Sequence, residues 1–281
     1  MLSFGLFVGG IFLVSAVAGL LGSLVGLGGG VLLIPLLTVG FGMDFRLAVG
    51  TSIVSVIATS SGAAAAYLRD RLTNLRVGVL LELCTTLGAI SGALLAPRVR
   101  ETVLFVLFGS LLLLSIVPTA AKLGEEIPQG VRNDALASWL RLASSYPDPA
   151  TDSPVSYQVT RVPLGMLMMY GAGVASGLLG IGSGALKVLA MDTAMRLPLK
   201  VSTATSNFMI GVTAAASAGI YFWRGDIPPL VAAPVALGVL VGATAGARLL
   251  AHLTNRTVRW VFVPILGLVA VEMILRGIGG M

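Results

Sequence analysis

The chain has 281 residues, 56% of them apolar and only 11% charged, with a mean hydropathy of +0.98. Soluble domains carry about a quarter charged residues, so this composition excludes an ordinary water-soluble enzyme or binding module. The net charge of +6 does not point to nucleic acid, because the basic residues sit at the ends of apolar runs, as the anchors of cytoplasmic loops do.

In chain order, apolar segments run over 4–41, 47–68, 77–97 and 102–121, then over 162–194, 201–223, 230–251 and 257–275. About 20 apolar residues span a bilayer, so the chain reads as an all-α polytopic membrane protein. No basic stretch precedes the first run, which is longer than a signal-peptide core, so no cleaved signal is expected. The lone Cys84 excludes an intramolecular disulfide and argues against a cysteine metal site; no metal or cofactor is expected. Between the two sets of segments, Lys122 to Arg161 is polar and holds Gly124-Glu125-Glu126, Pro128, Pro147, Pro149 and Pro154. It reads as a linker. Residues 135–142 are open to two readings, a short interfacial helix with Trp139 at headgroup depth or part of a mostly disordered loop.

The first and fifth segments are interrupted by glycine, at Gly26-Leu27-Gly28-Gly29-Gly30 and Gly180-Ile181-Gly182-Ser183-Gly184. Each glycine in a helix interior costs about 1 kcal/mol relative to alanine. Sliding the second half onto the first at a constant offset of 154 superposes these breaks and much else. Arg46 falls on Lys200, Thr51-Ser52 on Thr205-Ser206, and Tyr67 on Tyr221. Gly88-Ala89-x-x-Gly92-Ala93 falls on Gly242-Ala243-x-x-Gly246-Ala247, small residues four apart that let helices approach closely. The chain is a duplication: 1–121 is a first membrane repeat, 122–161 a polar linker and 162–281 a second repeat, each with one glycine-broken segment and three transmembrane helices.

Charge decides the orientation. If each half crossed four times, loop Lys and Arg would divide nine against eight, without the bias that membrane insertion imposes. If each broken segment enters and returns, twelve lie on one side and five (Arg46, Arg98, Arg100, Arg224, Arg276) on the other. This puts 122–161 in the cytoplasm and both termini outside, with the halves inverted. Inverted repeats with broken helices are the architecture of many secondary transporters, whose sites lie at the breaks. Residues 31–41 and 185–195 are the expected half-helices, with N–H groups at their starts favouring an anion.

With both breaks, the two Thr-Ser pairs and the inverted halves in hand, the chain resembles the sulfite exporter TauE/SafE family. The carrying residues are Gly26-Leu27-Gly28-Gly29-Gly30 with Pro35, Ala48-Val49-Gly50-Thr51-Ser52, and Gly180-Ile181-Gly182-Ser183-Gly184 with Thr205-Ser206-Asn207. The resemblance covers nearly the whole chain apart from the central stretch. It implies transport of small sulfur-containing anions such as sulfite or sulfonates, generally as export, in the cell membrane. The second half departs at Ala204, in the Gly50 position, and at Ser183, in the Gly29 position.

The expected substrate-binding set is Gly26, Gly28, Gly29, Gly30, Thr51, Ser52, Gly180, Gly182, Ser183, Gly184, Lys187, Thr205, Ser206 and Asn207. Their hydroxyls, amide and backbone N–H groups can donate to sulfonate oxygens; capping of a helix is the plain alternative for the hydroxyls. Lys187 either neutralises substrate charge or snorkels to the surface. Glu82 is either a carrier of the coupling proton or an interfacial carboxylate. Lys200 and Arg46 are expected loop charges that could guide anions. The partners expected are a small anion, the bilayer and a coupling proton or sodium ion, a homo-oligomer being allowed. The rivals are an anion channel and an intramembrane hydrolase built on Ser183 and His252; the latter lacks an acidic orienter near His252.

Overall fold

The computed structural model describes residues 2–25, 29–121, 128, 130–148, 153–253 and 255–279. Its helices are α1 (Leu2–Val25), α2 (Gly30–Pro35), α3 (Phe45–Arg69), α4 (Leu75–Leu95), α5 (Glu101–Ala121), α6 (Ala135–Trp139), α7 (Val162–Leu179), α8 (Gly184–Leu189), α9 (Leu199–Trp223), α10 (Pro229–His252) and α11 (Asn255–Gly279). Five-residue π-helical turns, Leu36–Gly40 and Ala190–Ala194, prolong α2 and α8. Among the described residues, five stretches are long and apolar enough to cross a bilayer: Phe7–Leu24, Phe45–Arg69, Leu75–Arg98, Val162–Leu179 and Pro229–Leu249. Leucines such as Leu83, Leu87, Leu167, Leu237 and Leu268 are exposed on the outer faces, as lipid-facing side chains are. The chain is an integral, mostly helical membrane protein.

The offset of 154 governs the backbone. Helices starting at 30, 45, 75 and 101 have counterparts starting at 184, 199, 229 and 255. The turns repeat as well: left-handed residues stand at Gly29 and Ser183, at Gly42 and Arg196, and at Arg71 and Gly225. Glycine is the residue such a backbone favours, and the alternation of Gly with Ser or Arg shows the conformation kept where the residue changed.

Packing follows the same correspondence. α1 lies along α10, where a Cβ on Gly242 would fall on the Ala16 carbonyl and one on Gly238 on that of Phe12. α4 lies along α7, where Cβ atoms on Gly88 and Gly92 would fall on the carbonyls of Tyr170 and Val174. In both seams the helices run parallel and in backbone contact. At the centre α3 crosses α9 antiparallel, with Gly50 against the Asp226 carbonyl and Ser60 Oγ donating to the Asn207 carbonyl at 2.6 Å.

The two ends of the bundle hold different groups. At one, Arg76 Nη1 donates to the Arg141 carbonyl at 2.8 Å, and Thr160 N donates to Met195 O. At the other, Arg46 Nε lies 3.3 Å from Glu101, and Arg224 pairs with Asp226 at 2.6 Å while donating to Ala93 O.

The central stretch departs from an all-helical reading. α6 is a single short helix with Trp139 exposed, and it is followed by an antiparallel hairpin, β1 (Ser144–Asp148) with β2 (Ser153–Tyr157). Pro147 faces Pro154 in the ladder, which a two-stranded sheet tolerates because each strand has a free edge. Asp134 welds this module to the bundle: Oδ1 accepts from Ala137 N at 2.6 Å and Oδ2 from Val162 N at 2.8 Å. Asn74 does so too, donating from Nδ2 to Leu142 O and to the Tyr157 hydroxyl, both at 2.9 Å. Burial pushes the Tyr157 phenol above the usual tyrosine range, against hydrogen bonds from Asn74 and Ser144 that draw it down.

Candidate functional site

The second break is built from three successive left-handed positions around one apolar residue. α7 ends at Leu179, Gly180 turns left-handed with its N–H on Ser176 O, and Gly182 and Ser183 follow at φ 70° and 50°. α8 then starts, with Lys187 N donating to Ser183 O at 2.9 Å. In the first break Gly26 and Gly28 lie outside the described residues; Gly29 is left-handed and its carbonyl takes the N–H groups of Leu32 and Leu33.

Both breaks rest on the middle of α3. A Cβ on Gly30 would lie 2.5 Å from Ser52 Oγ and 3.5 Å from Ile181 Cα; one on Gly182 would lie 2.6 Å from Val56 and 3.5 Å from Ile210. Val56 and Ile210 are themselves 154 apart, so the breaks meet across matching residues of α3 and α9. The structure thus brings together Gly29, Gly30, Gly180, Gly182, Ser183 and Gly184 with Ser52 and Ser206 in one buried region, but not the two threonines of the Thr-Ser pairs, of which Thr205 faces the turn before α4.

Its polar groups divide into committed and uncommitted ones. Ser52 Oγ donates to Gly180 O at 2.9 Å, and Ser206 Oγ to Gly184 O at 3.3 Å. Thr205 Oγ1 accepts from Asn74 N at 3.0 Å, so this hydroxyl is tied to the turn before α4. Asn207 Nδ2 donates to Ser23 O at 2.9 Å and Thr203 O at 3.2 Å. By contrast, the hydroxyls of Thr51 and Ser183 and the amide oxygen of Asn207 are buried with no hydrogen-bond partner among the described residues. Few buried polar groups in native proteins go unpaired, and fewer still at membrane depth.

Lys187 is fully buried and does not snorkel. Its Nζ lies 3.4 Å from Glu82 Oε2 and donates to Thr213 Oγ1. Glu82 is only 8% exposed and lies inside the bundle rather than at an interface. Its Oε1 accepts from Thr213 at 2.6 Å and Thr86 at 3.0 Å, and its Oε2 from Thr85 at 3.0 Å. Sequence reasoning singled out both charges without joining them and missed the threonines. The available signal was a lone acid in 77–97 and a lone base in 162–194, each expensive to bury alone.

Arg46 and Arg224 line a small crevice at one end of the bundle, where Arg224 stacks 4.5 Å over the Tyr221 ring and Tyr221 donates to Gly177 O at 2.8 Å. Lys200, the counterpart of Arg46, is buried at the start of α9 and so belongs to the opposite end. A cavity of about 310 Å³ beside the first break is walled mainly by apolar residues including Val17, Leu21 and Leu268, with the Glu272 carboxylate at its rim, a poor setting for an anion. No cluster of three metal-ligating residues occurs among the described residues.

The sequence profile of the family described as Sulfite exporter TauE/SafE matches residues 11–273. The chain is similar to three probable membrane transporter proteins. YunE of Bacillus subtilis (strain 168) is 25% identical over 269 residues, 93% of this chain and 95% of that one. YdhB of the same organism is 25% identical over 241 residues, 85% and 88% of the two chains. ORF9 of a Sinorhizobium species is 24% identical over 269 residues, 95% and 90%. No solved structure matches the chain.

Proposed function

This chain belongs to the sulfite exporter TauE/SafE family of membrane transporters, and from that premise we propose that it is a secondary transporter exporting a small sulfur-containing oxyanion, sulfite or an organosulfonate, by alternating access. The observation that carries this reading is the buried hydroxyl of Ser183 at the second break, unpartnered among the described residues, beside the Gly180 turn that Ser52 of the first half holds. At that depth it is a donor without an acceptor, and an oxyanion supplies acceptors. Gly29, Gly30, Gly180, Gly182 and Gly184 keep the backbone close, Ser52, Ser206 and Asn207 hold its turns, and Lys187 supplies positive charge. The repeats, 1–121 and 162–281, are inverted in the membrane. The antiparallel crossing of α3 and α9 supports this, as do the parallel seams α1 with α10 and α4 with α7. Arg46 and Arg224 at one end and Arg76 and Arg141 at the other support the twelve-to-five division of charge, which favours a cytoplasmic 122–161, termini outside and residence in the cell membrane.

The test is uptake into liposomes holding the purified protein, offered sulfite, thiosulfate, sulfoacetate, taurine, sulfate and chloride. Saturable flux of a sulfur oxyanion, driven uphill by a proton or sodium gradient, is expected. Flux that never runs uphill would establish a channel instead, and chloride carried in preference to every sulfur anion would overturn the substrate class.

A further inference from the structure

Among the buried charges of the described residues, which also include Asp192 and Lys200 near one end, Glu82 and Lys187 hold each other deep in the bundle. Glu82 comes from α4, Lys187 from α8 and Thr213 from α9, so three elements converge on a single buried ion pair. The duplication supplies a control experiment already performed. At the positions 154 residues away, Leu33 replaces Lys187 and Ala236 replaces Glu82, while Thr59 preserves Thr213. Leu33 is fully buried there, so the same architecture packs these places with apolar side chains. Buried ion pairs generally add little stability over apolar replacements. The fold does not require this pair.

Its position suggests what does. Lys187 stands one helical turn beyond Ser183, whose hydroxyl has no partner among the described residues, and its own N–H is bonded to the Ser183 carbonyl. Resting on the transport reading above, we infer that Glu82 is a built-in stand-in for the substrate, and that Lys187 exchanges the carboxylate for the transported anion as Glu82 takes up a proton. Before binding, the site holds one ammonium and one carboxylate. After it, the ammonium is unchanged and faces the anion, and the carboxylate has become a carboxylic acid by gaining one proton from the water-filled approach. One proton therefore travels with each monovalent anion, and the charge of the site is zero in both states. The surrounding hydroxyls suit the change, because Thr85, Thr86 and Thr213 donate to the carboxylate and can accept from the acid. A sodium ion would instead sit beside the Lys187 ammonium and require several oxygen ligands of its own, so the coupling ion is the proton.

No other ionisable side chain has a hydrogen bond or ion pair with Glu82 among the described contacts. α7 brings Tyr170, whose hydroxyl meets Ser91 at 3.5 Å, and α9 carries Lys200 and Tyr221 toward its two ends. Cys84 is the remaining thiol on α4 itself, and Glu101 opens α5.

The experiment is calorimetric binding of methanesulfonate and thiosulfate, anions that do not titrate near neutral pH, to the full chain in lipid nanodiscs, using buffers of different ionisation enthalpy. One proton should be taken up per methanesulfonate bound, and affinity should fall up to tenfold for each pH unit over the range where Glu82 is ionised. Glu82→Gln should bind at least tenfold more tightly at high pH, with no proton uptake and no pH slope. Lys187→Leu alone should lose binding at least tenfold. The double variant Glu82→Ala/Lys187→Leu, which copies the residues found at the two corresponding positions, should melt like the parent and still not bind, which separates loss of the charge from loss of the fold. An anion that binds without taking up a proton, or an unchanged pH slope in Glu82→Gln, overturns the exchange and leaves the transport reading standing. Absence of binding by sulfite and by both probes in the parent overturns the two together.

Discussion

The Ser52 hydroxyl donates to the Gly180 carbonyl at 2.9 Å, so a side chain of the first half fixes the turn that opens the second. Ser52→Ala leaves that carbonyl unpaired in the membrane interior, where such bonds contribute about 0.6–1.7 kcal/mol. A melting temperature lower by a few degrees is expected, together with weaker anion binding as the turn loosens. Unchanged melting would mean that Gly180 is held by its backbone alone.

Ser183 separates stability from function. Its left-handed backbone costs a non-glycine residue about 1–2 kcal/mol, and its counterpart Gly29 avoids that cost. Ser183→Gly is therefore expected to raise stability by roughly 1 kcal/mol, less the entropy that glycine adds to the unfolded chain. It also removes a hydroxyl that would donate to a charged oxygen, so affinity for the anion should fall about tenfold. Paired melting and binding measurements check both signs. Higher stability with unaltered affinity would remove Ser183 from the site.

The helix seams give a sharper contrast. Gly88→Ala and Gly242→Ala each place a methyl group onto a backbone carbonyl, of Tyr170 and Ala16 respectively. Overpacking of this kind costs about 1–3 kcal/mol, and both variants should melt several degrees lower. Gly171→Ala, on the open side of α7 where nothing lies within 4 Å, should melt like the parent or slightly higher. Equal melting of all three would show that the seams separate easily.

Tyr157 links stability to alkaline pH. Its phenol ionises above the ordinary value near 10, because burial favours the neutral form. The folded state therefore holds this proton more tightly than the unfolded chain does. The associated stability is complete below pH ~10 and is lost as pH rises through the elevated value. Tyr157→Phe should flatten that alkaline loss in melting curves, while lowering stability at neutral pH by removing the acceptor for Asn74 Nδ2. Tyrosinate absorbance gives an independent titration of the same proton.

Orientation is open to chemical labelling. With Cys84 replaced by serine, Asp70→Cys and Gly130→Cys should react with an impermeant thiol reagent only from the cytoplasmic side, and Asp44→Cys and Gly225→Cys only from outside. Reaction of Gly225→Cys from the cytoplasmic side together with Asp70→Cys and Gly130→Cys, with Asp44→Cys alone reacting from outside, would restore the arrangement of four crossings in each half.

Much of this architecture was legible because the sequence carries many of its signals twice, 154 residues apart. The offset read from Gly28, Thr51 and Tyr67 against Gly182, Thr205 and Tyr221 also sets the helix starts and the left-handed turns, and the tyrosines make matching bonds, Tyr67 to Ser23 O and Tyr221 to Gly177 O. What occurs once was harder to read. Glu82 and Lys187 are 105 residues apart and have no copies, so only folding reveals that they are partners. Thr205 looked like a ligand group by its place beside Ser206, yet its hydroxyl serves Asn74, a contact that depends on how α4 lies beside α9. The hairpin was hidden by Pro147 and Pro154, which read as loop residues until their pairing at a free edge is seen.

The seams have a mechanical consequence. α1 belongs to the first half and α10 to the second; α4 belongs to the first and α7 to the second; each couple is locked backbone to backbone through glycine. The half of the sequence that repeats at the offset of 154 is therefore not the unit that can move. Any displacement that keeps these contacts carries α1 together with α10 and α4 together with α7, two blocks each assembled from both copies. Sliding is left to the antiparallel crossing of α3 and α9, where the Ser60 hydroxyl of one helix meets the Asn207 and Phe208 carbonyls of the other.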